Sequence, residues 1–361
     1  MYNVLHIMAG ADAGGISSVV LNYYTYLDKT KYHFDIALTT NIVGQNAEAF
    51  KALGCKLFFL PLKSDGIKNF ENELKKLLES NHYDAVHVHE NETSYIALIV
   101  AKQVGIKCRI AHSHTTSPTN NLKDEIRRVS GCVLNSFYAT KLVACGYEAG
   151  KRVFGRLNMK RSKAVVLPNA IDCDKFKFNI EKRNMIRKEL GVEKNFVIGM
   201  VGRLSKEKNH LFALDFMRDV YKNNNSVKLF IVGNGDKESE LKEFVSHNKM
   251  NNYVEFLGRR DDACDLYQGF DILILPSIHE GFPVVAVEAL MSGLPVLLSD
   301  TITKELDFSK NVKYIPLKKE EWVKAVTSSK INSDRFASAD EMIKYGFDIK
   351  SSVKELEKIY S

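Results

Sequence analysis

The chain has 361 residues, 51 basic and 44 acidic, for a formal net charge of +7. Apolar residues make up 45% and charged residues 26%, which excludes disorder, collagen and coiled coil as whole-chain readings and leaves a soluble globular protein long enough for two cores. The longest apolar runs, such as Ile272 to Pro276, fall far short of the roughly 20 residues that a membrane span needs, and the start MYNVLHIMAG has no basic leader, so no signal peptide is expected.

Short β-rich apolar runs alternate with helix-period segments. The first series predicts strands at Val4–Met8, Phe34–Thr39, Lys56–Leu60, Ala85–His89, Arg109–His112, Lys141–Ala144 and Ala164–Leu167, with helices such as Ile16–Leu27 and Phe70–Leu78 between them. The pattern then restarts at Val197–Val201, Lys228–Val232, Val254–Leu257, Ile272–Leu275, Val296–Leu298 and Lys313–Ile315. Continuous apolar strands alternating with helices imply parallel sheets covered on both faces. Two series in succession predict an α/β protein of two Rossmann-like domains, 1–168 and 169–345, whose strand ends face one cleft. The last segment, Ile349–Tyr360, reads as an amphipathic helix that closes the chain at 346–361 and crosses back to the N-terminal domain.

The six cysteines, Cys55, Cys108, Cys132, Cys145, Cys173 and Cys264, form no C-x-x-C pair and suit a reducing cytoplasm. Residues 1–165 carry 21 basic and 14 acidic side chains, whereas 166–361 carry 30 of each. Much of the excess lies in KRVFGRLNMKRSK, residues 151–163, with six basic residues and no acidic one. This segment reads either as a solvated surface or as contact with an anionic membrane face or a phosphate-bearing ligand. Nucleic acid is not expected as a partner, because no aromatic stacking pattern accompanies the charge.

The strongest motif is PSIHEGFPVVAVEALMSGLPVLLSD, residues 276–300. A strand ends at Pro276, a loop carries Glu280, and Gly281–Phe282–Pro283 leads into a helix holding Glu288. Proline suits a first helical turn, and the helix start offers N–H groups to a phosphate. Two carboxylates eight residues apart suit sugar hydroxyls. Arg203 and Lys208 flank a loop after a strand end, where they can neutralise a diphosphate. Gly14–Gly15 stands at another strand-to-helix turn that could meet phosphate, although the spacing is not G-x-G-x-x-G. His87 and His89 share a strand face, as do His112 and His114. Imidazoles at i, i+2 can chelate, but no nearby cysteine or carboxylate completes a site, so no metal is expected.

The E-x7-E spacing in EGFPVVAVE resembles the signature of family-4 retaining glycosyltransferases, which have the two-domain GT-B fold. VGRLSKEKN (201–209), LFIVGNGDKESEL (229–241), YVEFLGRRDD (253–262) and LPNAIDCDKF (167–176) resemble further family blocks in the same order, and GADAGGISSVVLN (10–22) resembles the family's glycine loop. HVHENETSYIALIVAKQVG (87–105), RIAHSHTTSP (109–118) and ATKLVACGYEAGKRVFG (139–155) are similar to the bacterial exopolysaccharide and capsule branch.

The resemblance implies residue roles. Arg203 and Lys208 bind the donor diphosphate, and Glu288 holds the ribose. Glu280 contacts the transferred sugar, and Gly281, Phe282, Pro283 and Val284, with Gly14 and Gly15, complete donor binding. His114 lies close to the transferred sugar, with His112 as the alternative match. It further implies transfer from a nucleotide-diphosphate sugar, with UDP as the nucleotide, to a saccharide or lipid-linked saccharide at the cytoplasmic membrane face, without metal or other cofactor. Asp172 and Asp174 mimic a metal-binding D-x-D but stand in the hinge block. The rival readings are a sugar-nucleotide epimerase and an inactive assembly subunit, which would be expected to lose the glutamates or the basic pair.

Overall fold

The computed structural model describes residues 1–361 except 13–14, 41–42, 117–118, 120 and 332–334. The chain divides into two compact units, one of Met1–Ala170 with Asp348–Ser361, the other of Ile171–Phe347.

The first unit is built on seven parallel strands: β1 (Tyr2–Met8), β2 (Tyr32–Leu38), β3 (Leu57–Phe59), β4 (Ala85–Val88), β5 (Cys108–Ser113), β6 (Lys141–Ala144) and β7 (Ala164–Val166). They are ordered β3-β2-β1-β4-β5-β6-β7. The strand order reverses between β1 and β4, where the register sets His6 beside His87. β4 is buried at every position, which is why it reads as a continuous apolar run broken only by His87. It ends at Val88, so His89 lies one residue beyond it.

Helix Ile349–Tyr360 belongs to this unit. Asp348 starts it by accepting a hydrogen bond from the Ser351 N–H at 3.2 Å. Its Ile349, Leu356, Ile359 and Tyr360 are buried in the same core as Tyr24, Phe34 and Ile36. Full burial of an aliphatic side chain contributes about 1.5–3 kcal/mol, so the helix is a structural part of the sheet's cover.

The second unit has six parallel strands: β8 (Phe196–Val201), β9 (Val227–Val232), β10 (Val254–Gly258), β11 (Ile272–Leu275), β12 (Val296–Ser299) and β13 (Val312–Ile315), ordered β10-β9-β8-β11-β12-β13. Two buried charge networks, absent from the sequence reading, hold its framework. Asp271, just before β11, accepts from Arg183 Nη2 at 2.5 Å, from Arg187 Nη1 at 3.1 Å and from the Val197 N–H at 2.8 Å, which ties the start of β11 to β8. Arg335 is buried and donates to the carbonyls of Tyr267, Phe270 and Ser292. Burial pushes its guanidinium pKa down to about 9. A buried charge is tolerated only when so fully hydrogen-bonded. Among the described residues no helix is long and apolar enough to cross a membrane.

Candidate active site

In the second unit the strand order reverses at β8, which has β9 on one side and β11 on the other. The carboxyl ends of such strands open a crevice where ligands of α/β sheets bind. The loops that follow β8 and β11 carry the predicted residues. Lys208 Nζ donates to Glu280 Oε1, an ion pair whose side chains are 18% and 12% exposed. Ser277 Oγ donates to the same oxygen at 2.8 Å. The two loops are also joined through their backbones: the Ile278 N–H donates to Glu207 O at 2.8 Å, and Asn209 Nδ2 to Pro276 O at 3.1 Å. Arg203 is exposed on the first of these loops.

Glycine sets the spacing of this edge. A Cβ on Gly233, after β9, would stand 2.0 Å from the Gly202 carbonyl oxygen, and one on Gly235 would stand 2.3 Å from that of Leu204. Both Gly202 (φ 148°) and Gly233 (φ 136°) adopt backbone conformations that side chains disfavour. Gly233 and Gly235 are therefore packing glycines that let one loop lie on the next, and they position the Arg203–Lys208 segment.

Gly281, Phe282 and Pro283 lead into helix Val284–Met291. Pro283 occupies the capping position before this helix rather than its first turn. The expected open set of N–H groups is partly taken up locally, since Val284 donates to Phe282 O and Ala286 to Pro283 O at 3.1 and 3.0 Å. Phe282 is buried and stacks on Phe347 with ring centroids 5.7 Å apart.

Glu288 sits on this helix and accepts a hydrogen bond from Tyr267 OH at 2.7 Å. Burial raises its carboxyl pKa to about 7, with the Tyr267 bond working the other way. Arg335 donates to Ser292 O at 2.9 Å just past the helix end, where a cation suits the helix dipole.

In the first unit Gly14 lies outside the described residues. Gly15 starts helix Gly15–Tyr26 with φ 55°. Asp172 caps the short helix Cys173–Phe176 by accepting from the Asp174 N–H at 3.1 Å, and Asp174 pairs with Lys177 at 3.1 Å. Local structure thus occupies the D-x-D.

The histidines form a larger group than the sequence suggested. His6, His87, His89 and His112 are each at most 3% exposed, and His114 is half-buried beside them. The rings pack against one another along the group, with His87 stacked on His89 at a centroid distance of 4.4 Å and His112 tilted against His114 at 4.0 Å. Burial holds every one of these imidazoles well below the ordinary histidine range, His6 and His114 at about 3. The nitrogens of His6, His87 and His89, and those of His89, His112 and His114, lie within 4.8 Å of one another, close enough to hold a metal ion. The ring contacts of 2.8–3.0 Å are hydrogen-bond lengths, shorter than the roughly 3.3 Å between nitrogen ligands of tetrahedral zinc.

Comparison with known proteins follows the same division. Residues 13–175 match the model described as glycosyltransferase family 4, and residues 181–345 the one described as glycosyl transferases group 1. EpsF of Bacillus subtilis is 32% identical over 313 residues, covering 84% of this chain and 80% of its own length. The chain belongs to glycosyltransferase family 4. It is also 27% identical over 288 residues to the UDP-Gal:alpha-D-GlcNAc-diphosphoundecaprenol alpha-1,3-galactosyltransferase of Escherichia coli, covering 76% of this chain and 73% of that one. With the capsular polysaccharide biosynthesis glycosyltransferase CapH of Staphylococcus aureus it shares 22% over 284 residues, 77% of this chain and 75% of that one. Among solved structures, Anabaena HepE in complex with UDP covers 99% of both chains with a TM-score of 0.80 at 18% identity, which establishes the GT-B fold.

Sequence reasoning missed several residues of this glycosyltransferase that touch the candidates. Ser277 and Tyr267 bind the two glutamates, and their signal lies only in the fold. His6 left one trace, a polar residue within the buried stretch VLHIM of β1.

Glu288 gives a test. Its folded-state pKa of about 7 exceeds the unfolded value of 4.5. Its contribution to stability is therefore fully present below pH 4.5 and lost as pH rises through 7. Glu288→Gln, which keeps an acceptor for Tyr267, should stabilise the enzyme by about 3 kcal/mol at pH 8 and little at pH 4.5. Thermal unfolding at both pH values reads this directly, and equal shifts at the two would refute it.

Proposed function

We propose that the enzyme transfers a hexosyl or N-acetylhexosaminyl unit, with retention of anomeric configuration, from a UDP-sugar to a saccharide or lipid-linked saccharide in cell-surface polysaccharide synthesis. The observation that carries this reading is the Lys208–Glu280 pair at the β8/β11 strand ends. Glu288 stands on the helix that follows, in a chain of glycosyltransferase family 4. The names of EpsF, CapH and the Escherichia coli galactosyltransferase support the polysaccharide context, and the HepE complex with UDP-glucose supports the donor class.

In the absence of donor, Lys208 neutralises Glu280. When a diphosphate arrives, Lys208 turns to it and Glu280 is released toward the sugar. Arg203 adds a second cation against the charge that develops on the leaving diphosphate. Glu288 accepts from the ribose hydroxyls as a carboxylate. The cations and the helix start do the work of a metal, so the reaction needs none.

Calorimetry with UDP and a panel of nucleotide sugars tests the donor site. Affinity should fall about tenfold from pH 8 to pH 6 as Glu288 takes up a proton, and Glu288→Gln should flatten that profile. Lys208→Ala should lower turnover by about 10²-fold with a smaller effect on donor affinity, because its charge matters most in the transition state. No binding of any nucleotide diphosphate would overturn the reading. Activity should also survive EDTA, and its loss with recovery on adding manganese or magnesium would contradict metal independence.

We further propose that the first unit docks on the anionic inner face of the cell membrane. The six basic residues at 151–163 are not equivalent. Lys151 pairs with Glu148 at 2.9 Å and Arg152 is half-buried, while Arg156, Lys160, Arg161 and Lys163 are exposed. The adjoining helix Leu122–Tyr138 exposes Leu122, Ile126, Val129, Val133 and Phe137, a stripe at helical spacing. Asn158 Nδ2 donates to Ser136 Oγ at 2.8 Å, so stripe and charges share one surface. Four cations at about 1 kcal/mol each, with buried apolar side chains, suit reversible attachment. The protein should co-sediment with anionic vesicles and less with neutral ones, and Ile126→Ser with Phe137→Ser should abolish binding. Equal binding to both vesicle types, or a dimer that buries the stripe, would overturn the proposal.

A further inference from the structure

Five histidines of the first unit, His6, His87, His89, His112 and His114, form a single unbranched chain of hydrogen bonds with Tyr360. His112 Nδ1 meets His87 Nε2 at 3.0 Å, and His87 Nδ1 meets Tyr360 OH at 3.0 Å. Tyr360 OH meets His6 Nε2 at 3.2 Å, His6 Nδ1 meets His89 Nε2 at 2.9 Å, and His89 Nδ1 meets His114 Nε2 at 2.8 Å. The two ends are His112 Nε2, which is buried with no hydrogen-bond partner among the described residues, and His114 Nδ1. His112 is 3% exposed, whereas His114 is the one half-buried ring of the group.

The protons on this chain can be counted. A neutral imidazole carries one ring proton and a phenol one, and each hydrogen bond uses one. Six groups and five bonds leave a single spare proton, on an end atom or on the Tyr360 hydroxyl. With the spare proton on Tyr360, His87 and His6 both donate to its oxygen and a buried hydroxyl proton is left without an acceptor; with it on an end atom, every donor points the same way in one of two arrangements. In one, all five rings are protonated on Nε2, and His112 buries an N–H with no acceptor. In the other, all five are protonated on Nδ1, His112 buries a bare lone pair, and the spare proton sits on His114. Buried N–H and O–H groups without partners are rarer than unpartnered acceptors, so the arrangement with all five rings protonated on Nδ1 wins. The rings are neutral at ordinary pH because burial disfavours their charged form.

We propose that this chain fixes His114 as its Nδ1–H tautomer, a directed hydrogen-bond donor, and that His89 is the positioning residue that holds it there. The catalytic use of that donor rests on the proposed sugar transfer and on the family resemblance, which implies that His114, with His112 as the alternative match, lies close to the transferred sugar, where it would donate to one of its oxygens. The tautomer itself does not depend on that reading. The ring nearest to His114 decides its state, since the His89 Nδ1–H occupies the His114 Nε2 lone pair. Tyr360 passes the same direction along by accepting from His87 and donating to His6.

The test is ¹⁵N NMR of histidine-labelled protein, with the His114 signals identified by their loss in His114→Gln. In wild type, His114 should show a proton on Nδ1 and none on Nε2, with no sugar or nucleotide present. His89→Phe removes the donor but keeps a ring, and should convert His114 to a mixture of tautomers. It should also lower kcat more than tenfold with less than a threefold change in donor KM. His89→Gln restores both an acceptor for His6 and a donor for His114, and should recover the Nδ1–H state and most of the kcat. A wild-type His114 protonated on Nε2, or present as a mixture, overturns the proposal without any variant. So does an unchanged tautomer in His89→Phe. An Nδ1–H tautomer together with full activity in His114→Gln would leave the chain standing and sink the catalytic reading of His114.

Discussion

Strand β8 has a parallel neighbour on each edge, and five of its six residues are buried. A strand so enclosed can place polar chemistry only where it stops. The strand ends of the second unit are held at a fixed spacing by contacts that glycine alone permits, at Gly202, Gly233 and Gly235. Those contacts bring the β8 loop against the β9 loop on one side, while the Lys208–Glu280 pair and the Ile278–Glu207 backbone bond close it against the β11 loop on the other. A side chain at Gly233 would move the loop carrying Arg203 and Lys208 before it touched either residue. Packing and charge placement are here the same constraint.

Burial is used in two opposite senses. Glu288 is a half-buried carboxyl with one donor, Tyr267, and its loss of water raises its proton affinity until it titrates near neutrality. The five clustered imidazoles of the first unit are packed with one another, so their proton affinity falls and they stay neutral. In both cases removal from water disfavours the charged form, and the difference in direction follows from which form of each group is charged.

Much of this was legible in the sequence because it is local. Parallel strands buried on both faces read as uninterrupted apolar runs, and their number and order along the chain came through with ends off by one or two residues. The E-x7-E block is legible because strand end, loop and helix start follow within thirteen residues. What stayed hidden depends on pairing across the chain. His6 and His87 are neighbours only because β1 pairs with β4, and Tyr360 reaches them only because the last helix packs on that sheet. Arg335, Tyr267 and Asp271 are ordinary residues in the sequence whose burial is set by elements far from them. The paired state of Lys151 and the exposure of the stripe from Leu122 to Phe137 likewise need the surrounding helices.

The return of residues 348–361 to the first unit has a consequence for the order of events during synthesis. The sheet β1–β7 is complete once residue 166 has been made, yet its cover lacks Ile349, Leu356, Ile359 and Tyr360 until the whole of Ile171–Phe347 has followed. At about 5–20 residues per second that interval is on the order of ten seconds or more. Throughout it, the nascent first unit exposes an apolar face and a set of histidines without their tyrosine, a state that chaperones would recognise. The half of the protein that is translated first is therefore the half that finishes folding last.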